Sequence, residues 1–390
     1  MERTVDMFDP IRDYTIHKKE YDNAISQVLN HGRFINGPEV NELEKKLSEF
    51  VGTTHCIAVG NGTDALQIAL MSLNIGNGDE VITVSHTWIS TVEAISLIGA
   101  IPVFVDIESD TFCMDIDQIE SVITDKTRCI MVVSLYGQTP DYDRINEIAN
   151  KYNIQVIEDG AQSFGAKYKG KRSCGLTTIG TTSFFPTKPL GCYGDGGACF
   201  TNDDNLANKI RAIKSHGGIK RFHHKYIGMN SRLDTIQASI LLIKLKYFEK
   251  SLEERNRVAN YYNKKLKILE NSGLIELPKV MNNNYHVWAQ YSILLNKKFD
   301  RDKVVEYLKE NGINVSIFYP KPTHEQECFK YLNYDVKLPV TDKVCKTIIN
   351  LPCYDQLSFF ELTHIIFHFE NLINKMNGDC DNYVHELEYN

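Results

Sequence analysis

From about residue 55 to residue 215, short apolar runs alternate with longer stretches of helical periodicity. HCIAVG is followed by GTDALQIALMSL, in which Leu66, Ala69, Leu70 and Leu73 recur at helical spacing. EVITVS leads into WISTVEAISLIG, IPVFVD into DIDQIESVI, and RCIMVVS into DYDRINEIANKY. IQVIED, TTSFF and GGACFT add strand-like runs ahead of the helical DNLANKIRAIKS. Continuous apolar strands separated by helices predict an α/β fold with a mostly parallel sheet covered on both faces. Such a sheet binds its ligand beyond the carboxyl ends of its strands. Gly62-Thr63, Trp88, Asp159 and Ser183 all fall at or just after predicted strand ends.

Beyond this region the pattern changes. The segment from about 233 to 270, with the strongly apolar LDTIQASILLIKLKYF, predicts one or two long helices. YHVWAQYSILL and the helical RDKVVEYLKENG then predict a smaller α+β domain. The expected division is a large domain over 1–245, a small one over 246–375, and a disordered acidic tail over 376–390 carrying Asp379, Asp381, Glu386 and Glu388.

Composition narrows the function classes. With 390 residues, 43% hydrophobic and 24% charged, the chain has enough material for a large and a small core. The net charge of −7 is dispersed, and no long basic block argues for a nucleic-acid partner. No stretch has the length of a membrane span, and MERTVDMFDPIRDY lacks the apolar core of a signal peptide, so a cytoplasmic protein is expected. The ten cysteines are scattered without CxxC or Cys/His zinc spacing, which predicts reduced core thiols and no metal site.

Three segments carry candidate chemistry. In Gly60-Asn61-Gly62-Thr63-Asp64 a Gly-rich turn opens a helix, and its N–H groups with the Thr63 hydroxyl suit a phosphate. An ordinary capped turn explains the same residues, and the spacing fits neither a P-loop nor a dinucleotide fingerprint. In Val156-Ile157-Glu158-Asp159-Gly160 an acidic residue ends a buried strand, where a carboxylate needs a partner. A protonated ring nitrogen, a helix N-terminus and a magnesium ion all meet that need. In Ser183-Phe184-Phe185-Pro186-Thr187-Lys188-Pro189-Leu190-Gly191 a lysine sits in a loop of aromatics, prolines and glycine. Left in solvent it is an ordinary surface residue; desolvated, it can lose its proton and form a Schiff base.

Taken in order, GNGTDAL, the aromatic Trp88, EDGAQSFGA, SFFPTKPLG with GDGG, and GMNSRLDTIQAS resemble the DegT–StrS group of sugar aminotransferases, a branch of the fold-type I pyridoxal enzymes. FINGPEV and HVWAQY extend the likeness over roughly residues 8–370. The resemblance implies pyridoxal phosphate as cofactor, with Lys188 bound to it and moving protons between cofactor and substrate. It implies that Asp159 pairs with the pyridine nitrogen and Gln162 lies near the ring hydroxyl. Gly62, Thr63 and Ser183 would hold the phosphate. Trp88 would stack on the ring, although a core aromatic is an equal reading of the residue itself. Asn230 would reach the phosphate of a neighbouring subunit, making the active unit a homodimer. Arg232 would touch substrate or hold its loop in an ion pair.

Within the group, TTSFFPTKPLGCYGDGGACFT and NSRLDTIQASILLIKL resemble aminotransferases of UDP-2-acetamido-2-deoxy-3-oxo-glucuronate. The implied reaction takes its amino group from L-glutamate and delivers it to a nucleotide-linked keto-sugar. Where that branch has His-Tyr-Pro, this chain has Phe318-Tyr319-Pro320, so a group expected near the sugar is replaced while Tyr319 remains a candidate contact. A 3-keto or 4-keto 6-deoxy sugar on dTDP or UDP is the alternative substrate. A sugar dehydratase of the same group would carry a histidine in place of Lys188, and a cofactor-binding regulator would not need the complete site.

Overall fold

A computed structural model of the chain describes residues 4–333 and 335–378. Within them, seven strands form the central sheet: β1 (His55–Val59), β2 (Glu80–Val84), β3 (Ile101–Val105), β4 (Thr127–Val133), β5 (Gln155–Asp159), β6 (Ile179–Ser183) and β7 (Gly197–Thr201). Their spatial order is β1-β7-β6-β5-β4-β2-β3. The pairs β6–β5, β5–β4, β4–β2 and β2–β3 are parallel, and β7 runs antiparallel to both of its neighbours. One reversed strand in an otherwise parallel sheet agrees with the α/β expectation. β1, β2 and β5 are buried after their first residue, as strands covered on both faces must be.

The helices that flank this sheet start where the local chemistry lets them. Asp9 caps α1 (Pro10–His31) by accepting from the N–H groups of Ile11 and Arg12. Pro38 opens α2 (Pro38–Val51), and Gly52 closes it in the left-handed conformation. α3 (Gly62–Ser72) follows β1, α4 (Ile89–Leu97) follows β2, α5 (Tyr142–Tyr152) precedes β5, and α6 (Asp204–Ile213) follows β7.

A single helix of 37 residues, α7 (Thr235–Asn271), joins the two halves of the molecule. The division expected at 245/246 falls inside it. Phe248 and Leu252 belong to a large-domain core with Phe164, Phe184 and Phe200, whereas Val258, Ala259 and Tyr262 pack in the small-domain core. The change of partner therefore lies between Leu252 and Val258. The small domain pairs β8 (Ile275–Glu276), β9 (Tyr291–Leu295) and β10 (Ile348–Leu351) antiparallel, flanked by α8 (Arg301–Glu310), α9 (Pro339–Thr347) and α10 (Phe359–Asn377). Val5 joins this small-domain core, so the N-terminal arm does not belong wholly to the large domain.

α10 continues to Asn377 and is closed by Gly378, two residues into the expected tail. The acidic residues Asp379, Asp381, Glu386 and Glu388 lie outside the described residues. The nine described cysteines are free, and all but Cys328 are buried. Among the described residues, no helix is long and apolar enough to cross a membrane.

Candidate functional site

The turns that follow β1, β2, β5 and β6 bring the predicted residues to one end of the sheet. Asn61 caps α3 by accepting from Asp64 N at 2.8 Å, which leaves the first N–H groups of this helix pointing past its end. A Cβ at position 62 would lie 2.6 Å from Ser183 Cβ, so only glycine lets α3 begin against the end of β6. Thr63 Oγ1 shares a hydrogen bond with Ser90 Oγ at 2.7 Å, and Ser183 Oγ accepts from Phe185 N at 3.2 Å. Two helix-start N–H groups and three hydroxyls thus form a shallow cradle suited to a dianionic phosphate.

Asp159 ends β5 with its carboxylate buried. Oδ2 accepts from Thr91 Oγ1 at 2.8 Å and Oδ1 from Ala161 N at 3.2 Å. Burial raises this carboxyl above its ordinary value, against the hydrogen bonds from Thr91 and Ala161 and the charge of Lys188. Desolvation in turn lowers the Lys188 amine, and Asp159 opposes that shift. Lys188 is half-buried as a residue, and its backbone N–H donates to Phe185 O at 2.9 Å, bending the loop on itself. A lysine with a lowered pKa near a buried carboxylate is equipped to act as nucleophile and proton carrier.

Gln162 bridges the site to the small domain. Its Oε1 accepts from Tyr136 N at 2.8 Å, and its Nε2 donates to Tyr319 Oη at 3.0 Å. Trp88 stands at the start of α4 with 56% of its surface exposed, so it is not a core aromatic. Its ring lies 6.0 Å from that of Tyr319. Phe318, where a histidine was expected, packs against the core that contains Ile348 and Tyr136.

Asn230 and Arg232 come to the phosphate end of the same chain. Gly60 N donates to Ser231 Oγ at 2.9 Å, tying their segment to the Gly60–Gly62 turn. Asn230 itself is exposed. Arg232 is half-buried, and its Nε is enclosed without a hydrogen-bond partner, so no ion pair engages that nitrogen. The residues that sequence reasoning missed are Thr91, Tyr136 and His86. Thr91 lies on a helix that the pattern located, and His86 and Tyr136 lie in the turns just after β2 and β4, but nothing in the local sequence says which of these side chains turns toward Asp159 or Tyr319.

The site has the parts that a phosphorylated pyridine aldehyde requires. A phosphate fits the cradle that glycine keeps open at position 62. A protonated ring nitrogen would give the Asp159 carboxylate the cationic partner that its burial calls for, and an exposed indole offers a face to a flat ring. A separate cavity of about 380 Å³, between α1, α7 and residues 188–191, is lined by Lys188 but not by Asp159, Gln162 or Ser183, and is not this cradle.

Comparison with known proteins agrees with this geometry. The model of the DegT/DnrJ/EryC1/StrS aminotransferase family matches residues 15–370. The UDP-2-acetamido-2-deoxy-3-oxo-D-glucuronate aminotransferase of Pseudomonas aeruginosa is 50% identical over 340 residues, 87% of this chain and 92% of that protein. The crystal structure of a DegT DnrJ EryC1 StrS aminotransferase from Brucella abortus matches with a TM-score of 0.89 at 39% identity, covering 94% of this chain and 99% of that one. NtdA from Bacillus subtilis, solved with bound cofactor PMP, matches with a TM-score of 0.89 at 32% identity, covering 96% of this chain and 86% of that one. The chain therefore belongs to the DegT/DnrJ/EryC1/StrS aminotransferase family, and its cofactor is pyridoxal phosphate.

Proposed function

We propose that this enzyme moves the amino group of L-glutamate to a UDP-linked 2-acetamido-3-keto sugar of the 3-oxo-glucuronate type, supplying an amino sugar for polysaccharide synthesis. In the first half, glutamate leaves as 2-oxoglutarate; in the second, the keto oxygen of the sugar is replaced by the amino group. The observation that carries the amino-transfer part of this reading is a desolvated Lys188 amine within electrostatic reach of the buried Asp159 at one sheet end, and the substrate part is supported by the likeness to the 3-oxo-glucuronate aminotransferase. A dehydratase of the same family would have no amine at position 188.

Pyridoxal phosphate supplies an electron sink for the substrate carbon. Lys188 would hold the cofactor through its side-chain amine, and the same amine, with its pKa lowered by desolvation, would serve as the proton carrier at the substrate carbon. Asp159 would keep the proton on the pyridine nitrogen, and Thr91 holds that carboxylate in place with its hydrogen bond to Oδ2. Gly62, Thr63 and Ser183 would hold the phosphate, Trp88 would offer its exposed face to the ring, and Gln162 would lie near the ring hydroxyl. Tyr319 contacts the sugar. Arg232, half-buried and with an Nε that lacks a hydrogen-bond partner, is the side chain offered to a substrate anion, whether the carboxylate of glutamate or a charged group of the nucleotide sugar.

The active unit in this reading is a homodimer, with Asn230 of one subunit reaching the phosphate of the other. The exposure of Asn230 and of nearby Ile219, Phe222 and Ile227 supports an interface there. The free, buried thiols suit a cytoplasmic enzyme. Adding glutamate to the purified yellow protein tests the reading: the visible band should change in the wild type and not in Lys188→Ala. Near-wild-type turnover by Lys188→Ala would refute it.

A further inference from the structure

Residues 316–324 form a strap between the two domains, and Tyr319 sits at its middle. On the small-domain side, Ser316 and Asn350 exchange backbone hydrogen bonds at 3.2 and 2.8 Å, and Phe318 N donates to Asn350 Oδ1 at 2.8 Å. On the large-domain side, Thr323 N and Oγ1 both donate to Ser85 O at 3.0 Å, and His324 N donates to Ser85 Oγ at 3.1 Å. Between these anchors the Tyr136 hydroxyl donates to the Phe318 carbonyl.

That last bond fixes the direction of a buried chain. A phenol has one proton, and here it points at Phe318 O. The nitrogen 2.7 Å from the same oxygen, His86 Nε2, must therefore be protonated. Burial lowers the His86 imidazole to about 3, so the ring is neutral and Nδ1 is a bare acceptor. Cys345 Sγ lies 3.4 Å from it, and burial pushes that thiol up to about 12, so it is protonated and donates. Every proton thus runs one way: Cys345 to His86, His86 to Tyr136, Tyr136 to Phe318 O.

The chain converges on Tyr319 from two sides. Tyr136 holds the carbonyl just before Tyr319, and its backbone N–H fixes Gln162, whose amide donates to the Tyr319 hydroxyl. The His86 ring also meets the Tyr319 ring edge-on, with centroids 6.0 Å apart. We infer that His86 is a positioning residue for the sugar step, using its Nε2–H tautomer to aim the Tyr136 hydroxyl at Phe318 O and so hold Tyr319 in the substrate cleft. The inference rests on the reading of Tyr319 as a sugar contact.

The holoenzyme tests it in its two half-reactions. Losing one buried donor should raise KM for the UDP-linked keto-sugar roughly tenfold in both His86→Leu and Tyr136→Phe, while the rate of the glutamate-driven absorbance change stays within about twofold. His86→Gln, which keeps a side-chain N–H, should recover most of the sugar step. The double variant His86→Leu/Tyr136→Phe should be no worse than the poorer single one. In enzyme labelled with ¹⁵N-histidine, the His86 ring signals, identified by their loss in His86→Gln, should show Nε2 protonated and Nδ1 bare.

Equal loss in both half-reactions, an unchanged sugar step or a protonated Nδ1 would each overturn the inference. Tyr319→Phe separates it from its premise. If Tyr319→Phe leaves the sugar step intact, the sugar-contact reading fails and this inference falls with it. If Tyr319→Phe impairs the step and His86→Leu does not, this inference alone fails.

Discussion

The hydroxyl of Thr91, on the first turn of α4, donates to Oδ2 of Asp159 at the end of β5, at 2.8 Å. Thr91 Oγ1 also lies 2.9 Å from Thr87 Oγ1, and since its own proton is used on Asp159, it accepts from Thr87. Thr87 of the β2–α4 turn and Thr91 of α4 thus steady the carboxylate assigned to the cofactor nitrogen.

Thr91→Val keeps the shape of the side chain and removes the donor. A hydrogen bond to a charged group is worth about 1.5–3 kcal/mol, so transamination should fall roughly 10- to 100-fold. Asp159→Asn removes the charge itself and should do at least as much damage, on the order of 10²–10³-fold, with the fold retained. Steady-state rates and circular dichroism of both variants check this. Full activity in Asp159→Asn would make Asp159 a structural cap.

Mixing subunits tests the shared site. Lys188→Ala and Asn230→Asp should each be inactive alone. If Asn230 serves the partner's phosphate, a hybrid dimer has one site with both lesions and one with neither, so part of the activity returns. No recovery, once subunit exchange is demonstrated, would place Asn230 in the site of its own chain or outside the site altogether.

Acid should weaken the tie between the N-terminal helix and α10. Burial alone would raise the Glu361 carboxyl, but hydrogen bonds from Arg12 and Ser358 hold it at about 2, below its ordinary 4.5. Arg12 Nη1 donates to Glu361 Oε2 at 2.9 Å and so ties α1 to the start of α10. A carboxyl lowered by folding stabilises the protein above 4.5, and that contribution is lost as pH falls toward 2. The Tm advantage of the wild type over Glu361→Gln should be present at pH 6 and shrink below pH 4.5. A difference that stays constant over that range would contradict the assignment.

Lys188 and Asp159 stood out as candidates because each departs from its surroundings, an acid closing an apolar strand and a lysine in a loop of aromatics and prolines, but their roles came only with the family resemblance. Gly62 was legible as a turn, but not as the point where a Cβ would strike Ser183, since that contact joins a helix start and a strand end from distant parts of the chain. The roles of Thr91, Tyr136 and His86 depend on which side of a turn faces the site, and local periodicity carries no such information. The domain boundary was blurred for a similar reason. No proline or glycine interrupts α7, and the apolar face passes from one core to the other without a break in pattern.

The central claim is the destination of the amino group. Incubating the enzyme with ¹⁵N-glutamate and a panel of UDP- and dTDP-linked 3-keto and 4-keto sugars, then weighing the sugars by mass spectrometry, follows the nitrogen directly. The account predicts a ¹⁵N-amino sugar from a UDP-linked 2-acetamido-3-keto substrate, formed in step with 2-oxoglutarate and absent with Lys188→Ala. A sugar that loses oxygen without gaining ¹⁵N, or 2-oxoglutarate formed while every sugar stays unlabelled, would contradict it.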